Sequence, residues 1–414
     1  QFNVPIGKFE GIEEPLARIA GTAYLLDAAR RLTCAALNQG HHPAVISGIM
    51  KLQATERMRI AIDDAMDIHG GKAVIDGPQN YIGNLYRSVP VGITVEGANI
   101  LTRNLIVFGQ GAIRAHPYLL EEMNALGDED RTKGLDAFDK AFWKHIGHSV
   151  ATLFRAWGRS WSGGMFITVP DAGDATHFYR QLSRYSSAFA LCADMALLTL
   201  GGALKRKEML SARFGDILSE LYLLSAALKR WQDEGRQAAD FAALEWCMAN
   251  GFKTIENRFA EIFANLPNRF VAVVLKFLIQ PLGSRVLGPS DRVTHQCAQL
   301  ILEPSAARDR LTPDLPDIDD DGGASRLEKA FLLVTSAEDI AKKMRAAHLH
   351  DWKEAVKQGV ITQAEGDRIA AAHEAVAKVI EVDDFAPEAL SPIYKKPAEV
   401  HQFFQELGET RAAS

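Results

Sequence analysis

The chain of 414 residues is 47% hydrophobic and 24% charged, the profile of a soluble globular protein with material for two or three domains. Its formal net charge of -6 argues against a nucleic-acid partner. The cysteines at 34, 192, 247 and 297 form no CxxC pair and no zinc spacing, which fits free buried thiols in a reducing compartment.

The chain opens on Gln1-Phe2 without a methionine, so the N-terminal part of a longer polypeptide is expected to be missing. No secretory signal is visible, and no apolar run reaches the ~20 residues of a spanning helix. After Gly11, Leu16, Ile19, Ala20, Ala23, Leu26, Cys34 and Leu37 form an apolar stripe at helical spacing. Pro15 sits in the first turn, where its missing N–H costs little, and Gly40 supplies a stop. A second helix is expected from Pro43 to Ile68, ending at Gly70-Gly71. The stretch "KAVIDGPQNYIGNLYRSVP" reads as a loop. It leads into an apolar, strand-like run with Val91, Ile93 and Val95, then the acid Glu96, Gly97 and a helix to about Gly109.

Helical periodicity continues over 135–158, 176–233, 237–265 and 325–349, with further helices expected at 351–382 and 395–408. The proline- and aspartate-rich segment 311–325 reads as a solvated linker or lid. With little strand signal and no repeat, the expected class is all-α: a helical bundle over residues 1–116, followed by a larger helical region over 117–414.

The segment "QFNVPIGKFEGIEEPLARIA" and the longer "DAMDIHGGKAVIDGPQNYIGNLYRSVPVGITVEGANILTR" carry a resemblance. The glycine pair, the arginine turn at Arg87 and the Glu-Gly segment stand in the order and spacing of the C-terminal helical bundle of acyl-CoA dehydrogenases. The helical remainder resembles the C-terminal extension of bacterial members acting on medium- and long-chain acyl groups. The resemblance implies an FAD enzyme of fatty acid β-oxidation that converts acyl-CoA to trans-2-enoyl-CoA. It also implies an electron-transfer flavoprotein as acceptor, a homo-oligomer and a cytoplasmic or peripheral inner-membrane location. The family's N-terminal helical domain and β-domain are absent, so the fragment alone is expected to be inactive.

By the same resemblance Glu96 is the base that removes the substrate's α-proton. A carboxylate in water is a poor base; apolar walls from Val91, Ile93 and Val95 would bring its pKa toward the operating range. Gly97 would let substrate approach the backbone closely. The alternative is an ordinary acid at a helix start. Gly70 and Gly71 are implied to approach the adenine-diphosphate half of the flavin, or serve simply as a helix stop. The family has glutamine where this chain has Asp67, and threonine where it has Ala98; both changes bear on flavin contact. Gln1 and Phe2 match the end of a flavin-contacting Arg-x-Phe segment whose arginine would precede Gln1. Arg87 reads as structural.

His41-His42, His145 with His148, and His348 with His350 have no convergent carboxylate or cysteine set, so no metal is expected. Ser160 and Ser162 in "GRSWSGG" lack nucleophile-elbow spacing, and their glycines read as a turn. The apolar segment 268–288 is either a buried core helix, with Val273 and Phe277 inside, or a surface helix lying on a membrane with Arg269, Lys276 and Arg285 toward anionic lipid. Alternatives to the dehydrogenase are an acyl-CoA oxidase and a non-catalytic helical docking or membrane-association module.

Overall fold

The structure is a computed structural model that describes residues 4–111, 116–313 and 322–386. Every regular element among them is helical, and the chain divides into two compact units.

The first unit comprises residues 1–68 and 86–315. Its helices are α1 (Glu10–Asn38), α2 (Ala44–His69), α3 (Gly83–Thr94) and α4 (Asn99–Leu101), the last running into a π-helical segment, Thr102–Gln110. There follow α5 (Leu119–Leu126), α6 (Arg131–Trp161), α7 (Thr176–Leu200), α8 (Glu208–Asp233), α9 (Phe241–Asn265), α10 (Arg269–Ile279), α11 (Asp291–Leu302) and α12 (Ala306–Leu311). The ends of α2 and α3 pass into the second unit.

The core forms around α8. Leu210, Phe214, Ile217, Leu221, Leu224, Leu228 and Trp231 recur at alternating spacings of four and three, and all are buried. That spacing stacks them on one face of a helix. Small residues bury the other sides of α8 too, so α1, α7, α9 and the π-helical segment all pack on it. Gly21 on α1 is needed for close approach: a Cβ there would lie 2.2 Å from Cε3 of Trp246 on α9. Paired guanidinium–carboxylate bonds tie distant helices together. Arg18 donates to Asp64 at 2.7 and 2.9 Å, and Arg103 to Asp216 at 2.7 and 2.6 Å.

The second unit comprises 69–85 and 316–414. Its described helices are a one-turn helix, Gly71–Val74, then α13 (Gly323–Ser336), α14 (Glu338–Ala346), α15 (Trp352–Lys357) and α16 (Gln363–Ile380). Ile340, Met344, Ala355, Ile361 and Ile369 make a small core of their own. Asn80 folds the 72–83 turn: its amide nitrogen donates to the carbonyls of Ala73 and Ile75, and its oxygen accepts from the amides of Ile82 and Gly83.

Several sequence expectations are corrected. The region 176–233 is two helices, because Gly201 takes φ +49° and a 3-10 turn, Gly201–Arg206, intervenes. The supposed loop after Gly71 contains a helical turn and the start of α3. The run through Val91 is the end of α3 and not strand-like. Cys34 is exposed, while the other three thiols are buried. The continuous helical stretch 173–206, made of α7 and the short 3-10 turns on either side of it, is long and apolar enough, by length and composition, to cross a membrane, although Tyr185, Leu191 and Cys192 on α7 lie in the core. The expected helix at 395–408 and most of the 311–325 linker lie outside the described residues.

Segment 268–288 is neither wholly core nor a free basic surface. On α10, Ala272, Leu275 and Ile279 are buried, while Phe270, Val273 and Phe277 face outward. Arg269 donates to the carbonyls of Phe263 and Ala264 at the end of α9. The backbone N–H of Arg285 donates to Glu256.

Candidate functional site

α3 ends at Thr94, and the chain reverses through two residues in the left-handed region, Glu96 at φ +56° and Gly97 at φ +93°. Glycine adopts that conformation freely; glutamate does so at a cost of roughly 1 kcal/mol or more. Ala98 then returns to extended geometry, and its carbonyl accepts from the amide of Thr102, starting the next helix. A non-glycine residue held at positive φ is a reason to look for function.

Lys51, half-buried on α2, holds this reversal. Its Nζ donates to the carbonyl oxygens of Gly97 at 2.7 Å and Ile93 at 3.3 Å, and to Oδ1 of Asn99 at 2.6 Å. Ile93 belongs to the last turn of α3, whose carbonyls have no helical partner, so a cation there is favoured. Asn99 is buried, and its amide nitrogen donates at 2.9 Å to both Thr55 Oγ1 and Glu56 Oε1. Gly92 lets α3 lie close on α2, since a Cβ there would come within 3.2 Å of Thr55 Cγ2. The residues on either side of Glu96 are thus pinned to one helix, while the Glu96 carboxylate stands exposed.

The apolar wall expected around the acid does not form within this chain. Val91 and Val95 are exposed, at 57% and 48%. Residues two apart share a face in a strand but diverge by about 200° on a helix, and Val91 and Ile93 are on a helix. Arg87 also lies on α3, with an exposed side chain. Sequence reasoning missed Lys51 and Asn99. A lysine mid-helix carries no local signal when its partner is 46 residues away.

The other expected contacts are placed as follows. Asp67 is exposed near the end of α2. In the second unit, Gly70 has φ +58° and ψ -135°, and no atom would lie within 4 Å of a Cβ on Gly70 or Gly71. The backbone there is open to close approach by another group. Gln1 and Phe2 lie outside the described residues. Ser160 is buried within α6, and Gly163 and Gly164 form the turn after it at φ +62° and +82°.

Carboxylates do converge on His145, contrary to the sequence expectation. His145 Nδ1 lies 2.8 Å from Glu122 Oε1, and His116 Nε2 lies 3.0 Å from Asp194 Oδ1. Donor atoms of His116, His145 and Asp194 lie within 4.8 Å of one another. The hydrogen bonds favour a structural role. His116 Nδ1 accepts from the amides of Tyr118 and Leu119, which puts its proton on Nε2, directed at Asp194. Ser149 donates to the other oxygen of Asp194.

Two family profiles together span most of the chain. Residues 1–109 match "Acyl-CoA dehydrogenase, C-terminal domain", and residues 113–385 match "Acyl-CoA dehydrogenase, C-terminal, bacterial type". The chain is similar to the probable acyl-CoA dehydrogenase FadE10 of Mycobacterium bovis and of Mycobacterium tuberculosis, with 25% identity over 262 residues. That alignment covers 58% of this chain and 38% of each relative, so the chain spans well under half of their length. In fold it is similar to the acyl-CoA dehydrogenase from Bacillus anthracis solved in complex with FAD. The TM-score is 0.54 at 19% identity, covering 73% of this chain and 50% of the other. With profiles matched along both its bundle and its extension, the chain belongs to the acyl-CoA dehydrogenase family.

Proposed function

We propose that this chain is the base-bearing helical part of a flavin-dependent dehydrogenase that oxidises medium- or long-chain acyl-CoA to trans-2-enoyl-CoA in fatty acid β-oxidation. One observation carries the assignment: Glu96 stands exposed at φ +56° in a reversal whose flanks are pinned by Lys51. A capping acid needs no such backbone. A base does need a fixed position, because effective proton transfer depends on geometry before acidity.

In this reading Glu96 takes the proton from the substrate α-carbon, and the β-carbon gives up a hydride. Gly97, without a Cβ, leaves room for the thioester beside the acid. Bound FAD would supply the two-electron acceptor. The residues fit it unevenly. Gly70 and Gly71 offer open backbone suited to a diphosphate-ribose. Asp67 would repel phosphate and suits a ribose hydroxyl instead, and Ala98 contributes no hydroxyl. The remaining pocket walls would come from the length that the curated relatives have beyond this match, so the chain alone should bind FAD weakly and turn nothing over.

An electron-transfer flavoprotein is the proposed acceptor, homo-oligomerisation the proposed assembly, and the cytoplasm or the inner-membrane surface the proposed location. Support for peripheral membrane contact comes from the outward Phe270, Val273 and Phe277 of α10, with exposed Trp161 packed on Phe277 at 5.1 Å between ring centroids.

The test is Glu96→Gln in a polypeptide that carries this chain together with the rest of the relatives' length. Anaerobic mixing with acyl-CoA should leave the flavin unbleached although it is still bound. Normal bleaching would remove Glu96 from the role of base.

A further inference from the structure

A second feature of the first unit has no part in the chemistry above. The π-helical segment, α5, α6, α7 and the turn Gly201–Arg206 line a half-open cavity of about 1140 Å³. Small-molecule sites run to ~300–1,000 Å³, so this is a large one. Its wall is mainly apolar, with Leu105, Met123, Phe142, Val150, Leu191 and Leu198 among its residues. Several of these remain open to solvent, Leu198 at 78% and Met123 at 52%.

The polar groups in the wall are largely spent on one another. Glu122 is bonded to His145, and Asp194 to His116 and Ser149. A ligand with polar groups along its length would lose water and gain little there. The cavity also has a charged margin. Lys205 lines it, forms no ion pair with any described residue, and is followed by exposed Arg206 and Lys207. An apolar trough with an unpaired cation in its lining at a basic margin suits a long apolar chain bearing one negative end.

We propose that this cavity binds a free long-chain fatty acid, its chain along the α6–α7 wall and its carboxylate at Lys205. The probe series is the saturated fatty acids from octanoate to palmitate, titrated calorimetrically into the 414-residue chain, with dodecanol as the uncharged control. One fatty acid should bind per chain, and affinity should rise about fourfold per methylene until the trough is full. Dodecanol should bind more weakly than dodecanoate. Lys205→Glu should weaken dodecanoate about five- to tenfold. Val150→Asp, which puts a charge in the wall at an exposed position, should weaken it by roughly tenfold or more. Both sites are exposed, so melting curves should be unchanged; should Val150→Asp fail to fold, Lys205→Glu and the chain-length series decide alone. Affinity independent of chain length, dodecanol binding equal to dodecanoate, or full binding by a folded Lys205→Glu variant would each overturn the proposal.

Discussion

The ammonium of Lys51 donates at 2.7 Å to the carbonyl of Gly97, the residue immediately after Glu96. With its bonds to Ile93 and Asn99, this lysine joins the end of α3, the reversal and the start of α4 to a single helix. Lys51→Met should therefore loosen the acid without removing it. In the complete, flavin-loaded enzyme kcat should fall roughly 10- to 100-fold, the scale of an ångström's misplacement, with KM changed far less. Equal loss in kcat and in substrate affinity would instead point to a collapsed site.

Glu96 occupies a backbone conformation better suited to glycine. Glu96→Gly should raise stability by about 0.5–1 kcal/mol in urea unfolding of this chain, through relief of the left-handed strain. The same substitution should abolish dehydrogenation in the complete enzyme. A destabilised Glu96→Gly variant would mean that the glutamate side chain supports the fold.

Glu256 gathers the segment after α10. It accepts from Ser284 Oγ at 2.8 Å, the amides of Arg285 and Val286 at 2.9 and 3.2 Å, and Tyr185 at 2.8 Å, with Arg184 at 2.9 Å. Burial pushes its pKa up, but these bonds outweigh burial and hold it below the usual carboxylate value. Because the folded pKa is depressed, the stabilisation is present above the unfolded value of about 4.3 and is lost as pH falls through the folded one. Glu256→Gln should cost about 3–5 kcal/mol at pH 7, and the gap from wild type should narrow as the pH drops below about 4. A gap independent of pH would contradict this.

Close helix approach at Gly21 leaves no room for a methyl group beside Trp246. Gly21→Ala should destabilise the first unit by about 1–3 kcal/mol, and shortening the neighbour in a Gly21→Ala/Trp246→Leu double variant should give a coupled, non-additive result. Chemical denaturation of the four chains completes the cycle.

The two faces of α10 should separate cleanly. Leu275→Asp, at a position 2% exposed, should abolish cooperative melting. Phe270→Asp, at a position 78% exposed, should leave the melting curve unchanged and reduce cosedimentation with anionic vesicles. Vesicle binding untouched by Phe270→Asp would exclude this face as the membrane contact.

The helical class, the stop at Gly70 and the helical periodicity within 176–233 were legible in the sequence. Each depends on residues three or four apart, and that spacing is set by the helix itself. Glu96 stood out as a candidate in the sequence because it sits within a continuous segment of characteristic order. Tertiary structure alone decided what surrounds it. Val91 and Val95 looked like one wall, yet the helix turns Val91 and Ile93 apart and leaves the acid open. Lys51 and Asn99 reach across 48 residues, and His116 meets Asp194 across 78. Contacts of that range follow from how helices pack and cross, and local periodicity carries no record of the packing angle.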